Sequence, residues 1–158
     1  MTVFLGLGTN LGNRKENLMR AIEALSLALG SCTACSTFIE TAPWGFESEN
    51  SFMNCAAAFE TELVPLQLLD TIERIERELG RTQKSQGGIY HDRVIDIDIL
   101  LYGNEIIESQ RLTIPHPLMH KRDFVLEPLA QIAADALHPI LGKSIGELAK
   151  ELKENNSL

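Results

Sequence analysis

The chain has 158 residues, 44% of them apolar, and a formal net charge of -8. That is enough apolar material for one well-filled core but too little length for two typical domains, so we expect a single domain over residues 1–158 with 154–158 as a frayed tail. The acidic balance excludes a general nucleic-acid binder. The N-terminus has no basic region and no apolar run long enough for a signal or membrane helix, so we expect a cytoplasmic protein with no membrane or nucleic-acid partner.

Residues 2–7 read as a short buried strand that runs into Gly8-Thr9-Asn10-Leu11-Gly12-Asn13. Gly6, Gly8 and Gly12 fail the spacing of a dinucleotide fingerprint, and the Lys of a P-loop is missing, so they read as a tight strand-to-helix connection. Asn13 with Glu16 resembles a capping box, and Leu18, Ile22, Leu25 and Leu29 form the apolar stripe of a helix over 14–29 that Gly30 stops. Cys32-Thr33-Ala34-Cys35 has C-x-x-C spacing, yet no second pair or nearby histidine completes a zinc site. The three cysteines therefore read as reduced thiols. A second strand is expected over 32–40, followed by a long polar loop, 41–50, that holds the only tryptophan, Trp44, between Pro43 and Gly45. Residues 52–61 read as a strand of small residues interrupted by Asn54, a polar group that needs a partner or the edge of a planar heterocycle.

Pro65 suits the first turn of the next helix, whose stripe is read as Leu66, Leu69, Ile72, Ile75 and Leu79, with Gly80 as its stop. Residues 81–92 carry glycines and basic groups with no apolar period, as a loop does when it closes over a phosphate. The β-branched run 93–101 then reads as a strand. Period two puts Ile95, Ile97 and Ile99 on one face and Asp96 and Asp98 on the other, the two carboxylates leaving the strand about 6.6 Å apart. Gly103-Asn104 signals a hairpin turn with a return strand over 105–108. Thr113 to Pro117 is extended by its prolines, a helix starts near Asp123 with Pro128 tolerable only near its beginning, and a last helix starts at Ser144 with Glu147 as capping partner.

Strand, helix, strand, strand, helix, strand is the α+β ferredoxin-like split βαβ pattern (βαββαβ), here with an added hairpin strand and C-terminal helices. Charge is unevenly spread along it. Segments 81–93 and 111–122 hold six basic residues (Arg81, Lys84, Arg93, Arg111, Lys121, Arg122) against one acid, Asp92, in a chain that is acidic elsewhere. A basic focus beside two like-charged carboxylates suits a polyphosphate carried on Mg²⁺, with carboxylates on the metal and arginines on phosphate oxygens. A solvated charge run is the plainer alternative, and the pattern alone does not say which group is transferred.

Several motifs in order carry a more specific likeness: G-x-G-T-N-L-G at 6–12, T-A-P-W-G at 41–45 with Asn54, R-I-E at 74–76, G-R at 80–81, R-V-I-D-I-D-I-L-L-Y-G at 93–103, and R-L-T-I-P-H-P at 111–117 before Arg122-Asp123-Phe124. From residue 2 to about 153 the chain resembles 6-hydroxymethyl-7,8-dihydropterin pyrophosphokinase, the folate-pathway enzyme that moves pyrophosphate from ATP to a pterin alcohol and releases AMP. The resemblance implies ATP as co-substrate, two Mg²⁺ ions on Asp96 and Asp98, and Arg81 and Arg93 acting with them in catalysis. Arg81, Lys84, Arg93, Ile99, Arg111, Thr113, His116 and Arg122 would surround ATP. Thr41, Pro43, Trp44, Phe52, Asn54 and Phe124 would line the pterin pocket, with Phe52 and Phe124 stacked on its two faces. It also implies a monomer acting on small molecules.

Departures from the family pattern fall in the loop: Tyr90-His91-Asp92-Arg93 stands where an aromatic-Gly-Pro-Arg run is common, and Gln83 and Pro117 replace a frequent arginine and aromatic. The catalytic base is open, Asp98 or water. Two other readings stay open as well: a metal-dependent nucleotidyltransferase, which releases pyrophosphate instead of AMP, and a non-catalytic nucleotide-binding ferredoxin-like module.

Overall fold

A computed structural model describes residues 1–41, 51–80 and 94–156; the Trp44 loop, 42–50, and the basic segment, 81–93, lie outside it. In chain order come β1 (Thr2–Thr9), α1 (Arg14–Leu29), β2 (Cys32–Cys35), β3 (Ile39–Thr41), β4 (Phe52–Glu60), α2 (Pro65–Glu78), β5 (Asp96–Tyr102), β6 (Ile107–Glu108), β7 (Thr113–Ile114), α3 (Asp123–Ala133) and α4 (Ile145–Asn156). The sheet runs β2-β4-β1-β5, antiparallel throughout, with β3 also paired to β4. With β2 and β3 taken as one interrupted strand, this is the expected ferredoxin-like order.

Local chemistry explains most of the boundaries. The Asn13 side chain accepts from the Glu16 amide and starts α1. Pro65 occupies the first turn of α2, where an amide would have no helical acceptor. Ser144 accepts from the Glu147 amide and donates to its carboxylate, a reciprocal cap on α4. That helix continues to Asn156, so the frayed tail expected from residue 154 is helical over its first three residues.

Two cores lie on opposite faces of the sheet. One packs Leu18 and Leu25 of α1 and Leu68, Ile72 and Ile75 of α2 on Val3, Leu5, Leu7, Phe59, Ile97 and Ile99. The other packs Met119, Val125, Leu126, Leu129, Ile145 and Leu148 on Ala56 and Leu100. The appended helices thus form a third layer.

Four sequence expectations need correction. The stripe of α2 is Leu68, Ile72 and Ile75, and Leu66 is half exposed. Leu66, Leu68 and Leu69 offer two helical phases of similar apolarity, and packing against α1 and β5 selects one. The strand expected over 32–40 is two strands: Ser36 turns its hydroxyl onto the Ala56 amide and Thr37 is held by Gln131, which takes 36–38 out of regular pairing. The return strand pairs with Thr113–Ile114 and not with the Asp-bearing strand, because the Gly103 amide binds back to the Thr2 carbonyl before the chain leaves the sheet. Pro128 is buried at the sixth position of α3, past its first turn, where it has no amide to give to the helix.

Gly30 closes α1 at φ 135°, where a Cβ would collide with the Glu60 carbonyl oxygen. Gly30→Ala is expected to cost at least about 2 kcal/mol, through left-handed strain plus displacement of β4's end. Urea unfolding of the purified variant checks this, and an unchanged midpoint contradicts it.

Candidate active site

The site grows from the register of three adjacent strands. Gly8 of β1 lies opposite Asn54 of β4 on one side and Asp96 of β5 on the other. Gly6, two residues back, lies opposite Ala56 and Asp98 in the same way. Residues in register across a sheet share a face, so Asn54, Asp96 and Asp98 project together. Glycine supplies no side chain between them. Strands are spaced about 4.8 Å apart, so roughly 10 Å separates the Asn54 and Asp96 backbones across a trough floored by glycine, in which Asn54 is itself buried, 7% exposed. The third-layer helices cover this face further along, at Ala56 and Leu100. The reading of Gly6 and Gly8 as a turn is therefore corrected: both are strand residues, and only Gly12, at φ 67°, serves the turn.

One wall belongs to β3 and β4. The Asn54 amide nitrogen donates to Thr41 Oγ1 at 2.9 Å. Its Oδ1 lies over Gly8, only 2.7 Å from where a Cβ would sit, so the carboxamide turns an acceptor into the trough. Phe52, two residues along β4, shares this face, and its ring edge lies 3.7 Å from the same Gly8 position. Arg14 ties the wall to the start of α1, donating to the Ser51 carbonyl and hydroxyl at 3.0 and 2.8 Å and pairing with Glu40 at 2.9 Å. Ser51 and Arg14 together hold the Glu40 carboxyl below the usual carboxylate range.

The opposite wall is β5. Ile95, Ile97 and Ile99 turn into the first core, as period two demands, while Asp96 and Asp98 are partly exposed on the other face. The strand begins at Asp96, three residues later than expected. The buried carboxylate of Glu76, 3% exposed on α2, accepts the Ile97 amide at 2.9 Å. It therefore fixes the peptide between the two aspartates from the far side of the strand. The sequence places Glu76 beside the α2 stripe and in the R-I-E run, but its target lies 21 residues away and carries no sequence signal.

His116, Arg122 and Phe124 approach from the β7–α3 connection. The His116 amide bonds to the Leu100 carbonyl at 3.1 Å, anchoring the segment beside β5. Its Nδ1 accepts from the Leu118 amide at 3.2 Å, which leaves the proton on Nε2. Burial first, and then the Arg122 guanidinium, push the His116 pKa down to about 4 against an upward pull from Asp96. Arg122 is itself buried and sits 5.7 Å over the Phe124 ring.

Of the residues expected to act, Asp96, Asp98, Asn54, Thr41 and Phe52 share or border the trough, and His116 is within electrostatic reach of both Asp96 and Arg122. Ile99 is not brought in by its side chain, which is 5% exposed in the first core. Arg111 is paired with Asp70 at 2.6 Å and Glu73 at 2.9 Å on α2, and Thr113 lies in β7 beside the segment that carries His116. Arg81, Lys84, Arg93, Pro43 and Trp44 lie outside the described residues. Among the described residues no group of three or more His, Cys, Asp or Glu could hold a metal ion. Two carboxylates on one strand suit Mg²⁺, which takes one or two protein carboxylates and completes its shell with water and substrate phosphates. No described helix is long and apolar enough to cross a membrane.

The chain matches known proteins along nearly its whole length. The family model described as 7,8-dihydro-6-hydroxymethylpterin-pyrophosphokinase (HPPK) matches residues 4–134. A Porphyromonas gingivalis protein named 2-amino-4-hydroxy-6-hydroxymethyldihydropteridine pyrophosphokinase is 51% identical over 138 residues, covering 87% of this chain and 93% of that one. A Haemophilus influenzae protein of the same name is 42% identical over 159 residues, covering 100% and 97%. Among solved structures, wild-type Plasmodium falciparum HPPK-DHPS with pteroate superposes with a TM-score of 0.78 at 16% identity. That likeness concerns the fold, and this chain, matched over 99% of its length, spans 46% of the Plasmodium chain. A sheet order, a trough and relatives of matching length thus point one way, and the chain belongs to the 7,8-dihydro-6-hydroxymethylpterin-pyrophosphokinase family.

Proposed function

We propose that the glycine-floored trough is where this chain, an ATP-dependent pyrophosphokinase of folate synthesis, joins its two substrates. The reaction moves pyrophosphate from ATP to the hydroxymethyl group of the reduced pterin and releases AMP. One observation carries the placement: Asn54, Gly8 and Asp96 stand in register on three neighbouring strands, with the middle position empty of side chain. A planar bicyclic ring fits the gap edge-on to Asn54, whose Oδ1 accepts from ring N–H donors while Thr41 fixes the amide's orientation. Phe52 and Phe124 would supply apolar surface for the ring faces, and Pro43 and Trp44 would join them in lining the pterin pocket.

Asp96 and Asp98 would hold two Mg²⁺ ions in this reading, with Glu76 fixing the peptide between them. When bound, the ions neutralise polyphosphate charge and polarise the phosphoryl oxygens. The neutral His116 offers its Nε2 proton to a phosphate oxygen, and Arg122 supplies fixed positive charge beside it. Arg81, Lys84 and Arg93 would close on the triphosphate from the neighbouring segment, joined by Thr113 and the backbone of Ile99. Arg111 can take a phosphate only by leaving Asp70 and Glu73, an exchange that costs little because those pairs are exposed. The hydroxymethyl oxygen then attacks the β-phosphorus in line, with AMP as the leaving group.

Incubation with ATP, Mg²⁺ and the pterin alcohol should yield AMP; release of pyrophosphate instead would indicate nucleotidyl transfer. Asp98→Ala should lower the rate by about three orders of magnitude, roughly 4 kcal/mol, with an unchanged melting temperature. Near-normal turnover in that variant would sink the metal assignment. Asn54→Ala should raise KM for the pterin about tenfold or more and leave KM for ATP near its original value, since about 1–3 kcal/mol of hydrogen bonding is lost at one substrate only.

His116 also sets a pH dependence of stability. The unfolded chain takes up the imidazole proton near the ordinary pKa of 6.5, while the folded protein resists until about 4. The stabilisation is therefore complete above the higher value and is lost progressively as pH falls toward the lower one, by up to about 3 kcal/mol. His116→Asn should flatten this part of the curve in urea titrations without nucleotide or metal; the slope from His138, whose burial lowers its pKa too, should remain. An unaltered curve in the variant would contradict the assignment.

A further inference from the structure

The corner of the sheet that carries Phe52 overhangs its centre. The β1–β4 ladder runs from Thr2 opposite Glu60 to Thr9 opposite Met53 and stops there. Phe52 lies one residue past it, paired across the sheet with Thr41 at the end of the three-residue strand β3. Among the described residues β3 pairs with β4 alone. A two-stranded extension of this length is marginal unless packing or further bonds support it.

Arg14 supplies that support from behind. Period two separates the faces of the corner: Thr41, Phe52 and Asn54 face the trough, whereas Glu40 and Met53, opposed in register, face the helices, and Met53 packs on the first core. Ser51, one residue before Phe52, falls on the helix side by the same alternation. The partly buried Arg14 guanidinium reaches this back face through Nη1, which donates to the Ser51 carbonyl at 3.0 Å and hydroxyl at 2.8 Å and lies 2.9 Å from the Glu40 carboxylate. The Ser51 hydroxyl in turn donates to Glu40 at 2.6 Å, so the three groups close a ring. Arg14 is the first residue of α1, where a cation opposes the helix dipole. Its contacts with the corner explain its place; its helix does not.

We propose that Arg14 is a positioning residue for the pterin: through Ser51 and Glu40 it fixes the backbone that aims the Phe52 ring, and it sets affinity for that substrate without touching either one. The inference rests on the placement of the pterin in the glycine-floored trough. Asn54 lies inside the β1 ladder, opposite Gly8, and keeps its strand register without the ring. Phe52 lies outside that ladder, so the direction of its side chain depends on what holds the corner. The ATP side of the trough, on β5, is two strands away from β4 and has no part in the ring. Loosening the corner therefore weakens one substrate and spares the other.

The test is steady-state kinetics of the full chain with ATP, Mg²⁺ and the pterin alcohol. Arg14→Ala should raise KM for the pterin about fivefold, with KM for ATP and kcat near their original values. Arg14→Lys, which keeps a charged donor, should recover part of that loss. In the Phe52→Ala background, Arg14→Ala should raise the pterin KM no further, because the guanidinium acts through the ring that is already gone. A general loss of folded protein would instead lower kcat and leave both KM values in place. If Arg14→Ala does not fold, Ser51→Ala, which removes one link of the ring, should show the same pterin-only shift. An unchanged pterin KM, equal rises in both KM values, a fall in kcat alone, no recovery in Arg14→Lys, or additive effects of Arg14→Ala and Phe52→Ala would each overturn the proposal. If Phe52→Ala and Asn54→Ala also leave the pterin KM unchanged, the placement in the trough fails and this proposal with it; shifts in those two variants and none in Arg14→Ala overturn this proposal alone.

Discussion

The absence of side chains at Gly6 and Gly8, in the strand that runs through the middle of the sheet, is the constraint on which the site depends. Glycine inside a strand costs about 0.5–1 kcal/mol relative to alanine through lost chain entropy and packing. Here the loss is confined to one face, since Leu5 and Leu7 on the other face of the same strand are fully buried. The glycine face is where Asn54 stands across from the aspartates. Even a methyl group at Gly8 would meet the Asn54 oxygen at 2.7 Å and block the acceptor that faces the trough. The alternation of apolar residue and glycine in β1 thus serves packing on one side and vacancy on the other.

That vacancy is useful only if its walls are rigid, and the two walls are stiffened by different means. The Asn54 wall is tied by short polar bonds close to it, through Thr41, Ser51, Glu40 and Arg14. The aspartate wall lies at the edge of the sheet, where among the described residues β5 has a full ladder only with β1. Glu76 compensates from below. A buried carboxylate is costly unless it is hydrogen-bonded, and this one takes the amide between the two aspartates. The third layer closes the arrangement: α3 begins at Asp123, Phe124 in its first turn packs on the second core, and Arg122 sits over its ring.

Much of this was legible from the sequence for identifiable reasons. Period two is strict in a strand with one buried face, so Ile95, Ile97 and Ile99 could only face inward once Asp96 and Asp98 faced out. The helix ends were legible because Asn13, Pro65 and Ser144 act on backbone within a few residues. What escaped was non-local. The stripe of α2 had two acceptable phases, and only packing excluded Leu66. The partner of β6 depended on where the chain left the sheet after Gly103. The role of Gly6 and Gly8 depended on residues some fifty and ninety positions away, invisible until strand order is known. Arg111 read as a phosphate ligand by motif, yet with no anion present its nearest acids are on α2.

Electrostatics near the aspartates divide the work between permanent and conditional charge. Arg122 is a buried guanidinium, and a second cation beside it would cost Coulomb energy in a poorly screened setting. His116 lies in the same setting and stays neutral, its proton confined to Nε2 by the Leu118 amide on Nδ1. A neutral imidazole still donates a hydrogen bond, so the segment offers one fixed charge and one neutral donor to an anion. In the proposed reading the aspartates hold metal ions, and without that charge they would repel a polyphosphate. On the same reading, metal charge that arrives with the polyanion would offset that repulsion, so ATP as its magnesium complex would be the better ligand. In that reading the aspartate pair would act as a filter for the metal-loaded substrate.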